Sequence, residues 1–320
     1  MRTMMSDEFL KAVDEDAEYE QRWPCEGAEP TVRRKVRARE VWEVIVESAT
    51  NTAEPGLIMW DNMVNNLPAH AYPDFYTIST NPCSEIALSA YDSCRLISMN
   101  LTGYVRNPFG DDSHFDWNAF KTDIRTAMQM ADNLVDLELG LINDIMDICS
   151  TDTERALWQK LWDAGFKGRR TGLGTHGLGD TLAQLCLRYD GAEALEWVDK
   201  LYSTLRNEAY GASIELAKVR GAFPVFDWEL EKKNSYIKRL PKKIRDGLAT
   251  HGRRNIAMLT QAPTGSVSII SKCGEFQTHN VSSGVEPVFR NSYTRRKKIQ
   301  HGDEGARVDF VDALGDKWQE

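Results

Sequence analysis

One thiol sits between an amide and a carboxylate in the stretch Thr80-Asn81-Pro82-Cys83-Ser84-Glu85-Ile86, and a second thiol, Cys94, follows eleven residues after Cys83. In an extended segment or a finger-like loop, alternate residues share a side. Asn81, Cys83 and Glu85 would then present a hydrogen-bonding amide, a sulfur and a base together. Pro82 removes a backbone donor and biases Asn81 away from helix. Three chemistries use such a set. A nucleophilic thiolate wants a histidine partner, and none lies nearby in sequence. A zinc site wants further Cys or His at short spacing, and the gap to Cys94 is too long for a knuckle. Redox or radical chemistry fits better: one sulfur reacts, a carboxylate moves a proton, an amide holds substrate, and a second sulfur lies downstream. A cysteine packed in a turn has the same spacing, and spacing alone favours it.

A second constellation is Gln261-Ala262-Pro263-Thr264-Gly265-Ser266-Val267-Ser268. Its small residues, glycine, hydroxyls and free backbone donors suit phosphate capture. It lacks the lysine of a Walker loop, so triphosphate hydrolysis is not implied. The run Gly172-Leu173-Gly174-Thr175-His176-Gly177 formally matches a dinucleotide fingerprint. That reading needs a buried strand just before it, and Lys167-Gly168-Arg169-Arg170 stands there instead. These glycines read as close strand-to-helix packing. His176 and His70 receive no ligand role, and Asp61 reads as a cap.

The elements that must position these groups follow from periodicity. Residues 6–20 read as a helix capped by Ser6, entered without a preceding strand. Residues 37–50 form a second, with Val41, Trp42, Val44, Ile45 and Ala49 on its buried side. Leu57–Trp60 is a short buried strand after the turn Glu54-Pro55-Gly56. Helices follow over 116–139, 154–164 and 192–219, the last closed by Gly221. Arg254-Asn255 leads into a strand over 256–260. Lys232–Lys243 is a solvated basic face, and the tail beyond Asp303 is polar with little to read.

The chain has 320 residues, 42% hydrophobic and 27% charged, enough for a large core in an ordinary globular composition. A formal charge of −9 disfavours general nucleic-acid binding. No apolar run approaches the roughly 18 residues of a membrane span. Residues 1–7 lack a signal-peptide core, and the six cysteines show no paired framework, so a cytoplasmic location is expected.

Asn81-Pro82-Cys83-Ser84-Glu85-Ile86 resembles the N-P-C-G-E-I/Q finger-loop motif of ribonucleotide reductases, and Ser98-Met99-Asn100-Leu101 resembles the S-I-N-L after it. Other segments resemble the same family in the same order. These are Glu54-Pro55-Gly56, Arg169 to Asp180 (R-R-I-G-L-G-x-x-G-L-A-D), Gly221-Ala222-Phe223-Pro224, Ala262 to Ser268 (A-P-T-G-T/S-I/V-S) and Asn280 to Phe289 (N-x-S-S-G-I-E-P-V/I-F). Ser84 stands where glycine is usual, and Arg95-Leu96-Ile97 where N-L-G is. The resemblance implies part of a ten-stranded α/β barrel, the second half-barrel, whose central finger loop (about 78–100) carries Cys83. It implies Cys83 as the thiyl radical that takes the ribose 3′ hydrogen, Glu85 as the base on the 3′ hydroxyl, Asn81 as a substrate partner, and Cys94 as one member of a disulfide-forming pair. It implies that Pro263, Thr264, Gly265, Ser266, Val267 and Ser268 cradle the phosphates of a ribonucleoside di- or triphosphate.

Asn-Pro-Cys and the spacing to Cys94 resemble the adenosylcobalamin-dependent class II enzymes. A class I large subunit is the alternative, and an inactive remnant acting as scaffold or regulator the third reading. Residues 1–320 are read as one partial catalytic domain. The upstream mate of Cys94, the N-terminal half-barrel and the effector region are not recognised in it. The expected partners are therefore an N-terminal reductase chain or segment and a thioredoxin- or glutaredoxin-like reductant, with no membrane and no direct nucleic acid.

Overall fold

The computed structural model describes residues 2–25, 29–274, 278–282, 284–290, 292, 294, 296–300, 303 and 305–320. Met1 of the N-terminal stretch and Ser283 of the Asn280–Phe289 motif lie outside the described residues.

The chain opens with a strand, β1 (Arg2–Met5), where none was expected. Helix α1 (Asp7–Asp14) follows, its first turn closed by the Ser6 hydroxyl accepting from the Phe9 N–H at 3.1 Å. It ends at Asp14 rather than near residue 20, because Asp16 turns at φ +50 into β2 (Glu18–Trp23). β2 pairs antiparallel with β3 (Val32–Arg37). Helix α2 (Ala38–Thr52) comes next, then β4 (Gly56–Met59), which lies parallel to β1. In α3 (Trp60–Asn65) the Asp61 carboxylate accepts from the Asp7 N–H at 2.7 Å. It therefore caps α1, where negative charge meets the positive end of the helix. Met5, Phe9, Ala12 and Ala38 form a small core there. Val44 faces solvent instead of joining it, and in β4 only Ile58 is buried.

The segment around Cys83 follows as β5 (Ser79–Thr80), β6 (Ala87–Leu88) and β7 (Arg95–Asn100), then the short pair β8 (Val105–Arg106) and β9 (His114–Phe115). Two long helices come next, α4 (Trp117–Ile148) and α5 (Asp152–Gly168), both longer than periodicity suggested. They lead into β10 (Thr171–His176), α6 (Leu178–Gln184) and the long α7 (Ala192–Arg220). The remainder is α8 (Trp228–Glu231), α9 (Ser235–Lys238), α10 (Lys242–His251) and α11 (Gly265–Ile270). Past residue 296, Lys297–Lys298 and Phe310–Val311 both pair with Lys317–Gln319. The tail is thus folded, held by the Trp318 indole N–H donating to Asp312 at 2.9 Å.

The glycine-rich stretch is itself a strand. All six residues of β10 are buried, and it runs parallel to β7 from Thr171 opposite Arg95 to His176 opposite Asn100. The expected strand over 256–260 reduces to a parallel bridge between Leu173 and Leu259, supported by Leu173 N–H to Met258 O and Thr260 N–H to Leu173 O. Leu173 points into the main core, among Phe120, Ile124 and Met128 of α4 and Leu201, Leu205 and Ala209 of α7. Helices covering one side of a buried parallel sheet give the α/β barrel-type fold.

Buried charge fixes these layers. Asp132 of α4 is fully enclosed and receives Arg169, Arg220, Arg254 and the Asn255 amide. Arg253 and Glu231 form a second buried pair, joined by the Tyr72 hydroxyl. No helix among the described residues is long and apolar enough to cross a membrane.

Candidate active site

The Asn81–Glu85 segment is a tight hairpin between β5 and β6, not an extended run. Ser79 lies opposite Leu88 and Thr80 opposite Ala87. Asn81 closes the turn three ways. Its N–H donates to Ile86 O (3.1 Å), its carbonyl accepts from Ser84 N–H (3.0 Å), and its side-chain Oδ1 accepts from Ile86 N–H (3.0 Å). Ser84 then reverses the chain at φ +70, a region that favours glycine. The glycine usual at this place in the resembling motif would take that conformation without strain. Because of the turn, Asn81, Cys83 and Glu85 do not line one face as alternate strand residues would. Asn81 spends its amide oxygen on the backbone, Cys83 stands exposed at the tip, and Glu85 turns inward. Glu85 Oε2 is buried with no hydrogen-bond partner.

Cys94 sits at the start of β7 between two ion pairs. Arg170 donates to Asp92 at 2.6 Å, both side chains almost fully buried, and Arg95 pairs with Glu138. Arg95 also donates to the Arg170 carbonyl at 3.1 Å. Burial pushes the Cys94 thiol up to about 12, against the opposing pull of Arg170 and Arg95 and with a further push from Asp92 and Glu85. At neutral pH it is a protonated thiol, able to give a hydrogen rather than attack as a thiolate.

The two glycines of β10 explain how the hairpin reaches this place. A methyl at Gly172 would lie 2.5 Å from Cys94 Sγ and 2.7 Å from Thr260 Cγ2, and one at Gly174 would strike the Thr260 carbonyl. Their role is close approach of neighbouring chain to strand, rather than of strand to helix. Thr260 in turn donates to the Glu85 carbonyl at 2.7 Å. The structure therefore brings Cys94, Thr260 and the Glu85 main chain together. Thr260, Asp92 and Arg170 were given no role from sequence, and Gly172 only a packing one. The period-two pair Gly172 and Gly174 on one face of a strand was the available signal.

In the second constellation, Thr264 holds φ +56 and α11 starts directly after it. The Thr264 hydroxyl donates to Pro263 O, and the buried Ser268 hydroxyl to Gly265 O, both at 2.8 Å. Those two hydroxyls are spent locally. Ser266, Val267 and the opening N–H groups remain turned outward, since a helix start has no internal acceptors for them. Gly284 packs against the Pro263 carbonyl, and its own carbonyl accepts from Gly177 N–H at 2.6 Å. The Asn280–Phe289 motif thus braces the loop from behind. His70 accepts from Thr77 N–H at 3.2 Å and packs against the Tyr76 ring, with centroids 4.5 Å apart.

Among the described residues no three His, Cys, Asp or Glu side chains group as a metal site. A cleft of about 350 Å³ between α7 and the 259–261 segment is lined by Leu173, Tyr202, Arg206 and Gln261.

Among curated proteins, the chain is 31% identical over 267 residues to the vitamin B12-dependent ribonucleoside-diphosphate reductase of Thermoplasma acidophilum, covering 82% of this chain and 28% of that protein. It is 28% identical over 293 residues to the protein of the same name from Mycobacterium tuberculosis, covering 91% and 35%. It therefore spans about a third of the length of these relatives. Among solved structures, the alpha subunit of the Actinobacillus ureae class Id ribonucleotide reductase has a similar fold, with a TM-score of 0.53 at 19% identity over 83% of this chain and 41% of that one. Residues 3–313 match the family described as ribonucleotide reductase, barrel domain, and the chain belongs to that family.

Proposed function

We propose that this chain carries the reacting part of a ribonucleotide reductase that works by a thiyl radical. The observation that carries this reading is the hairpin tip: an exposed Cys83 thiol next to Glu85, whose buried Oε2 has no partner. An unsatisfied buried carboxylate oxygen costs more than about 1–3 kcal/mol, and a substrate hydroxyl would satisfy it. The Cys83 thiyl takes the 3′ hydrogen while Glu85 accepts the 3′ hydroxyl proton. Cys94 and a second thiol give up two hydrogens and become a disulfide: one protonates the 2′ hydroxyl, which leaves as water, and the other goes to C2′, after which Glu85 returns the 3′ oxygen's proton and Cys83 the 3′ hydrogen. Asn81 orients the substrate, and the Pro263–Ser268 loop holds the phosphates of a di- or triphosphate.

The mate of Cys94 comes from the part of the enzyme its relatives carry beyond this domain, as a separate chain or segment. Their Cα atoms should lie roughly 4.4–6.8 Å apart. Residues 1–320 act as one partial catalytic domain, inactive without that part, and a thioredoxin- or glutaredoxin-like protein reduces the disulfide. The expected setting is the cytoplasm.

The names of the two curated relatives support adenosylcobalamin as the radical source. What supports this reading in the site is exposure: Pro82 and Cys83 are open to solvent at the hairpin tip. When bound, that cofactor supplies the one-electron oxidation of the Cys83 thiol. The test is reduction of ribonucleotides by the assembled enzyme with and without adenosylcobalamin. Turnover that needs a di-metal subunit instead of cobalamin would move the chain to class I.

A further inference from the structure

His176 stands where the resembling motif has no histidine, and the hairpin chemistry does not use it. It is 1% exposed at the end of β10, on the same face as Gly172 and Gly174. Both ring nitrogens are engaged: Nδ1 with the Ser98 hydroxyl at 2.8 Å and Nε2 with the Ser271 hydroxyl at 2.9 Å. Ser98 lies on β7, four residues after Cys94. Ser271 closes α11, its N–H donating to Val267 O at 2.9 Å, and its hydroxyl also accepts from the Asn100 amide at 3.0 Å. Burial lowers the tendency of His176 to protonate. A neutral ring has one donor and one acceptor, and each meets a hydroxyl that can take the complementary role.

We infer that His176 is a positioning residue that ties the phosphate loop, through Ser271, to the strand leaving Cys94, through Ser98, and so fixes the distance between the nucleotide's phosphates and the reacting sulfurs. This rests on the reading of the Pro263–Ser268 loop as the phosphate site. α11 is six residues long, exposes Ile269 and Ile270, and buries only Ser268. A short helix of that kind takes its placement from its ends. Without the Ser271 anchor it would remain helical but shift relative to β10.

The two links can be cut separately. Asparagine at 176 places its amide near Nδ1 and keeps the Ser98 link. Glutamine places its amide near Nε2 and keeps the Ser271 link. In the assembled enzyme, His176→Asn and Ser271→Ala should each raise the nucleotide KM roughly five- to tenfold, the effect of one buried hydrogen bond, with kcat at saturating nucleotide held within about twofold. His176→Gln should stay near wild type, and the double change His176→Asn with Ser271→Ala should add nothing further. Hydrogen exchange at the Gly265–Ile270 amides should quicken in His176→Asn and not in His176→Gln, which reads the linkage whether or not nucleotide binds there. Unchanged exchange in both His176→Asn and Ser271→Ala would overturn the inference and leave the phosphate reading standing. Faster exchange with an unchanged KM would place the phosphates elsewhere and overturn both. Ser271→Ala removes a single hydroxyl and with it the bonds from both His176 and the Asn100 amide, so unchanged exchange in it would overturn the inference even if the histidine variants fold poorly.

Discussion

Thr260 donates its hydroxyl to the main-chain carbonyl of Glu85 at 2.7 Å, linking the hairpin to the segment that runs on into the phosphate loop. Glu85 is followed by Ile86, whose N–H closes the turn on Asn81, and Thr260 is followed three residues later by Pro263. One hydrogen bond therefore couples the two constellations that the sequence keeps 175 residues apart. Thr260→Val keeps the shape and removes the donor. It should slow reduction at saturating nucleotide while costing only about 1 kcal/mol of stability by chemical denaturation.

Gly174 has no room for a side chain, because a methyl there would meet the Thr260 carbonyl. Gly174→Ala forces backbone apart, and overpacking of this kind costs about 1–3 kcal/mol. Thermal unfolding should show the loss. Gly140 of α4, which has open space around it, should accept alanine with unchanged or raised stability.

Much of this arrangement was legible beforehand, and the misses share a cause. The non-helical character of Asn81-Pro82, the cap at Ser6 and the long helices follow from local chemistry, so residue types alone revealed them. The pairing of β1 with β4 and the bridge at Leu259 depend on contacts far along the chain, which periodicity does not record. The extended reading of Asn81, Cys83 and Glu85 failed because alternation likewise records no hydrogen bonds, here ones made within the turn itself. Two hydrogen bonds across the turn to Ile86, together with Ser84 at φ +70, outweigh the alternation of an isolated strand. The role of His176 was invisible because its partners, Ser98 and Ser271, lie 78 and 95 residues away.

The Cys94 thiol is pushed from 9.0 to about 12 by burial, whereas Cys83 stands exposed. Iodoacetamide near neutral pH should therefore alkylate Cys83 first and leave Cys94 largely unmodified, as read by peptide mass spectrometry. A raised folded pKa stabilises the fold below the unfolded value and is lost as pH rises through the folded value. Stability should fall between about pH 9 and 12, and Cys94→Ala should flatten that decline.

Asp132 behaves oppositely. Burial alone would raise its pKa, but the Arg169 and Arg254 guanidiniums prevail and hold it below the ordinary 3.8. Its contribution is present above that value and disappears as pH falls through the lower folded one. Asp132→Ala leaves three arginines facing an empty place and should cost about 3–5 kcal/mol, measured by denaturant unfolding at neutral pH.

The central claim is that the Cys83 sulfur abstracts the 3′ hydrogen. The direct measurement is release of tritium from 3′-tritiated ribonucleotide by the assembled enzyme carrying Cys83→Ser. Serine is nearly isosteric and Cys83 is exposed, so the hairpin and nucleotide binding should be unchanged. The account predicts that tritium release and deoxyribonucleotide formation both disappear while nucleotide affinity is kept. Substantial release or turnover in that variant would contradict it.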